Sequence, residues 1–151
     1  MHKYDNAKTS FFRMQKHSKK IDNNFLTAIS YFNLGLLNRV NTISLRGVPF
    51  FEEANTYALK FRKSDANNSN NGQNLLFQIN INLSALYLEN NKLNDATFYL
   101  LRAQDNLNKL PYNHYYKSQF NYYYGDLYLK RNLYNLANDK FEKAFSTLKY
   151  D

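Results

Sequence analysis

Two stretches of this chain set small residues on one frame. Ser84 and Ala96 lie twelve residues apart, and so do Gly125 and Ala137. In each stretch a tyrosine follows the first small residue by three positions, Tyr87 and Tyr128, and a large apolar residue follows the second by four, Leu100 and Phe141. Small residues on two helices let the backbones approach, and large ones fill the grooves between helical pairs. The frame therefore asks for antiparallel helical hairpins. Only four Gly and two Pro interrupt 151 residues, so the elements are long, and long polar–apolar periodicity means helix. The expected fold class is all-α.

The spacing predicts helices over about 75–89, 93–109, 114–130 and 133–150. Pro111 stops the second, Asn113 caps the third, and Asn132 marks a tight turn before the last. Turns this short force neighbouring helices antiparallel. Nearer the start, Asp22 and Asn23 can cap a helix that carries Leu26, Ile29, Tyr31, Phe32, Leu34, Leu37 and Val40. Positions 41–47 either extend that helix or form a loop. Pro49 suits the first turn of the next helix, where its missing N–H costs nothing. Residues 1–20 read as a basic, frayed helix that carries Phe11, Phe12 and Met14 and has no partner of its own, or as the remnant or edge of a preceding repeat. Residues 65–74 contain Asn67-Asn68-Ser69-Asn70-Asn71-Gly72 and are expected to form a mobile surface loop between two helical halves. Each half alone offers too little core, so 1–151 is expected to be a single domain.

Residues 118–151 resemble a tetratricopeptide repeat (TPR). Tyr124-Gly125, Tyr128, Ala137, Phe141 and Ala144 stand at the pattern's positions, while Asn121 replaces a large residue and Lys149 a final Pro. Asn80, Leu83-Ser84, Tyr87, Ala96, Leu100 and Ala103 repeat the frame. The step from Ser84 to Gly125 is 41 residues, longer than the usual repeat of about 34. A weaker third copy is read at Tyr31, Leu34-Gly35, Ala54, Ala58 and Phe61, with Ala54 matched to Ala96 and Ala137 and the copy stretched by seven residues. The resemblance implies TPR-like hairpins forming a short right-handed superhelix whose first helices line a concave face. Inward positions lie three before, one after and four after each small residue. They select Phe32, Leu36 and Arg39, then Ile81, Ala85 and Leu88, then Tyr122, Asp126 and Leu129. With Asn82 these are the candidate peptide-binding residues. They combine apolar pockets with Asn82, Asp126 and Arg39 as polar fixers. The same side chains equally suit packing between hairpins.

The segments FNYYYGDLYLKRN, FEKAFSTLKY and NLSALYLENNKLNDATFYLLRA resemble the C-terminal domains of peptide-sensing transcription regulators of the Rgg/GadR/MutR group and the PlcR-like regulators beside it. The likeness covers about half the chain. It implies a cytoplasmic homodimer that holds a short signalling peptide on the concave face, below a helix-turn-helix that reads DNA. Residues 1–63 do not show that headpiece. The chain is thus expected to be the ligand-sensing and dimerisation part of a transcription regulator. The alternative is a general TPR-like scaffold for protein–protein interaction.

The net charge is +8, and six of the twenty basic residues fall in the first twenty positions, opposed only by Asp5. Such a segment is either a solvated helix face or a contact for nucleic-acid phosphates. The absence of cysteine excludes disulfides and thiolate metal sites and fits a cytoplasmic protein. No run of 18 apolar residues offers a membrane span. His2, His17 and His114 lack ligand partners at helical spacing, and neither a Gly-rich phosphate loop nor a nucleophile elbow occurs. No catalytic, metal or cofactor residues are assigned, and an enzyme is not expected. Glu89 and Asp126 are too far apart in sequence to read as an acid–base pair. Tyr112, Tyr115, Tyr116, Tyr122, Tyr123 and Tyr124 either serve an interface or replace other core aromatics.

Overall fold

The computed structural model describes residues 2–41, 45–64 and 69–148, and these are all-helical. The elements are α1 His2–Lys20, α2 Asn24–Asn41, α3 Val48–Ser64, α4 Ser69–Glu89, α5 Leu93–Asn108, α6 His114–Lys130 and α7 Tyr134–Leu148, with one 3-10 turn, Leu45–Gly47, before α3. The chain divides into two compact units, residues 1–79 and 80–151, and the boundary falls inside α4 rather than at the Asn-rich segment.

Three helix connections are the same turn. Asp22, Asn91 and Asn132 hold left-handed backbone with φ of 50°, 56° and 58°. Asn and Asp tolerate this region better than other side-chain-bearing residues. In each case the next N–H reaches back five residues to a helical carbonyl: Asn23 to Ser18, Lys92 to Tyr87 and Leu133 to Tyr128, at 2.8–2.9 Å. Orphan carbonyls at the helix end are satisfied this way, and the chain reverses in two or three residues. The next helix then starts identically, with Thr27, Ala96 and Ala137 donating four residues back.

In residues 1–79, α1 packs on α2. Half-buried Tyr4, Ala7, Phe11 and Met14 recur at helical spacing on α1, and hydrogen bonds join it to α2. Thr27 Oγ1 donates to Ser18 Oγ, and Gln15 Nε2 and Lys19 Nζ both donate to the Tyr31 hydroxyl, each at 2.8 Å. Phe12 adds an edge-on contact to Phe50 at 6.4 Å. The expectation of a partnerless helix over 1–20 is corrected here. Its partner is α2, and the hydrogen bonds add to the half-buried apolar residues of α1. Asn23 caps α2, its Oδ1 accepting the Leu26 N–H at 2.9 Å.

Gly35 of α2 faces Phe51 of α3 so closely that a Cβ there would lie 2.8 Å from the ring. Gly35 and Phe51 are sixteen residues apart, as are Ser84 and Leu100, and Gly125 and Phe141. Buried Gly47 stands twelve residues after Gly35, and Ala54 stands nineteen after it, where Ala103 and Ala144 stand in the other frames. By sequence spacing the third copy aligns without stretching when Gly47 takes the second small position. Its second small residue is Gly47, and Ala54 matches Ala103 and Ala144.

The expected loop over 65–74 is also corrected. Positions 65–68 lie outside the described residues, but α4 begins at Ser69, so 69–74 are helical. Gly72 is buried, and a Cβ there would meet the Phe61 ring at 3.2 Å and Arg62 Cβ at 3.3 Å. Arg62 Nη1 also donates to Gln73 Oε1 at 3.3 Å. Composition read this run as loop, but its glycine lets α3 and the start of α4 close together. From Leu76 to Leu86 every residue but Gln78 is buried.

In residues 80–151, Tyr87 stacks on Tyr99 at 5.5 Å, joining α4 to α5. Arg131 Nη2 donates to Thr97 Oγ1 at 2.9 Å where α6 packs on α5. Asn113 caps α6 as its position predicts, accepting the Tyr116 N–H at 3.0 Å. Ser118 Oγ donates to the Ala144 carbonyl at 2.8 Å, and a Cβ on Gly125 would lie 2.7 Å from the Phe141 ring. These contacts fix α6 against α7.

Candidate functional site

The sequence-selected residues fall into two groups. In residues 1–79, Phe32 is half-buried and meets Phe51 edge-on at 5.7 Å, and Leu36 and Arg39 are half-buried on α2. In residues 80–151, the four members on α4 are buried: Ile81 and Leu88 fully, Ala85 at 1% exposure and Asn82 at 6%. They serve packing and present no open surface. The three on α6 differ: Tyr122 is 51% exposed, Leu129 is 45% exposed and Asp126 is half-buried.

The open apolar surface gathers on the last hairpin. Of fourteen exposed large apolar or aromatic residues among the described ones, nine lie between Tyr112 and Leu148. Scattered exposed apolar residues are ordinary, but a contiguous set marks an interaction surface. Here Tyr115, Tyr122, Tyr123, Phe145 and Leu148 line a groove of about 220 Å³ between α6 and α7, over the Ser118–Ala144 hydrogen bond. Gln119 borders the same groove, and its Oε1 is buried without a hydrogen-bond partner.

Five of the groove residues have frame equivalents on α4: Tyr115, Ser118, Gln119, Tyr122 and Tyr123 stand where Asn74, Phe77, Gln78, Ile81 and Asn82 stand forty-one residues earlier. Phe77, Ile81 and Asn82 are buried, whereas Tyr122 is half exposed. The frame is thus covered at Ile81 and Asn82 and more open at Tyr122 and Tyr123, while Ser118 is buried as Phe77 is and Asn74 and Gln78 are half-buried. The sequence reading found Tyr122 but missed Tyr115, Phe145 and Leu148. Phe145 was findable. It sits one position past Ala144, where the preceding frame has the polar Gln104, so an aromatic replaces a polar residue on an outward position.

Electrostatics single out Asp126. Burial pushes its carboxyl above the ordinary range, nearby Lys130 opposes that, and Glu89 adds to it. Glu89 and Asp126, far apart in sequence, are therefore close enough in space to feel each other's charge. The Tyr124 hydroxyl is likewise raised by burial and by Tyr128, against Arg131, and Lys140 Nζ sits 5.2 Å from its ring.

Among the described residues no group of three His, Asp or Glu is placed to hold a metal ion. No described helix is long and apolar enough to cross a membrane. Comparison with protein-family models, curated proteins and solved structures finds no match.

Proposed function

We propose that the chain is a TPR-like protein-binding domain, and that the groove between α6 and α7 receives an amphipathic helical segment of another polypeptide. The observation that carries this reading is the open aromatic groove itself, whose frame equivalents Ile81 and Asn82 are buried one hairpin earlier. Helix-in-groove docking places apolar side chains at positions i, i+3, i+4 and i+7 into such a channel. Burying exposed rings such as Phe145 and Tyr122 contributes about 1.5–3 kcal/mol each.

A second reading keeps the chain as the ligand-sensing and dimerisation part of a peptide-responsive transcription regulator. Its support is the resemblance of FNYYYGDLYLKRN and its flanks to the Rgg-type regulators, together with Asp126 and Leu129 beside Tyr122 on α6.

Selection of binders from a displayed random peptide library tests both. The scaffold reading expects selected sequences with a helical apolar period and affinity sensitive to Phe145. Enrichment of short, non-periodic apolar peptides whose binding depends on Asp126 rather than Phe145 contradicts it and supports the sensor reading.

A further inference from the structure

Positive charge is uneven along the chain. Residues 1–79 hold eleven basic and five acidic side chains, against nine and seven in 80–151. In the first unit, Lys19, Asp22, Asn24, Thr27, Tyr57 and Lys60 line a cleft of about 450 Å³ where α1 gives way to α2. Two ammonium groups converge there on one ring. Lys19 Nζ lies 5.4 Å and Lys60 Nζ 4.8 Å from the Tyr57 centroid. The two cations are thus no more than about 10 Å apart.

The arrangement is braced. Tyr57 stacks on Tyr31 at 5.8 Å, and the Tyr31 hydroxyl accepts from both Gln15 and Lys19 at 2.8 Å. The hydrogen bond from Lys19 to Tyr31 raises the Lys19 pKa against the effect of burial, so the ammonium stays charged. The ion pairs found among the described residues join Lys109 to Asp105 and Lys143 to Asp139, so neither Lys19 nor Lys60 has a carboxylate partner. Asp22 is the one carboxylate on the cleft wall. Lys19 and Lys60 against Asp22 leave the cleft with one net positive charge. An anion in the cleft can accept charge-assisted hydrogen bonds from both ammonium groups. The side-chain amide of Asn24 supplies a further donor on the same wall.

We propose that this cleft binds a phosphoryl group carrying two negative charges, either free phosphate or a phosphomonoester. A phosphomonoester offers the two ammonium groups two charges and three terminal oxygens, where a phosphodiester offers one charge and two.

The test titrates the full chain at constant ionic strength with inorganic phosphate, phosphoserine and dimethyl phosphate, following the amide signals of Asn24 and Thr27. The expected result is saturable binding of the first two, with dimethyl phosphate about tenfold weaker. Whichever of the first two binds more tightly identifies the source of the group. Lys19→Gln and Lys60→Gln should each weaken binding about tenfold. Asp22→Asn should strengthen it, and Asn accepts the same positive φ. Thermal melts accompany each variant. Lys60 is exposed, so Lys60→Gln decides the matter if Lys19→Gln loosens α1. Equal response to dimethyl phosphate, unchanged binding in Lys60→Gln, or weaker binding in Asp22→Asn would each overturn the proposal.

Discussion

Gly35 and Gly125 show how single residues set the hairpin spacing. Each faces a phenylalanine ring so closely that a Cβ would stand under 3 Å from it. The remaining frame has another pair at these positions, Ser84 and Leu100, a slightly larger residue matched to a ring-free one. Phe51 is fully buried and cannot yield, whereas Phe141 is half-buried and can turn outward. Gly35→Ala should therefore cost about 1–2 kcal/mol, overpacking outweighing the gain in helix propensity. Gly125→Ala should lie near neutral. Gly35→Ser combined with Phe51→Leu should recover part of the loss, and urea unfolding measures all three. Asp126 gives a pH prediction. Its folded pKa is raised, so the folded state binds more protons than the unfolded chain from the ordinary carboxylate range upward, and stability falls as pH rises through that window. Asp126→Asn should remove that part of the pH dependence, and Glu89→Gln should lessen it. A urea midpoint that falls just as steeply with pH in Asp126→Asn contradicts the assignment.

At the scale of elements, the sequence was most legible where local chemistry decides. Asn113 and Asn23 cap the helices they were expected to cap, and Asn132 makes the expected turn. The misreadings share a cause, which is that the deciding partner lies elsewhere in the chain. α1 is bound to α2 by Ser18, Gln15 and Lys19, residues that look like a solvated face until Thr27 and Tyr31 are placed beside them. The start of α4 looks like a loop until Phe61 and Arg62 are placed against Gly72. The third frame was misaligned because Gly47 sits in a single 3-10 turn before α3, so its small-residue role is not on a helix at all. The shared turn carries its own prediction. Left-handed backbone costs a β-branched residue about 1–2 kcal/mol, so Asn132→Val should destabilise by that amount while Asn132→Gly is neutral or stabilising. Thermal melts of the two variants, moving in opposite directions, check it.

At the scale of the molecule, the two units differ in what they offer. Residues 1–79 concentrate positive charge, and the last hairpin concentrates open apolar surface. The candidate site was only partly legible. Tyr122 lines the groove and was selected because it shares the repeated frame, but the same rule selected Asp126 and Leu129, which do not line it, and Ile81, Asn82, Ala85 and Leu88, which are buried. Periodicity locates a face of a helix. It does not say whether another element covers that face. Phe145 and Leu148, on the neighbouring helix, complete the groove and needed the hairpin to be assembled first. Phe145 is also the most direct lever on the central claim, because at 64% exposure it can be changed without disturbing the core. Isothermal titration of a library-selected helical peptide should show saturable binding to the native chain, a loss of about tenfold or more with Phe145→Glu, and no change with Phe98→Glu, an exposed site on α5. Binding that survives Phe145→Glu, or that is lost equally with Phe98→Glu, would contradict a docking groove between α6 and α7.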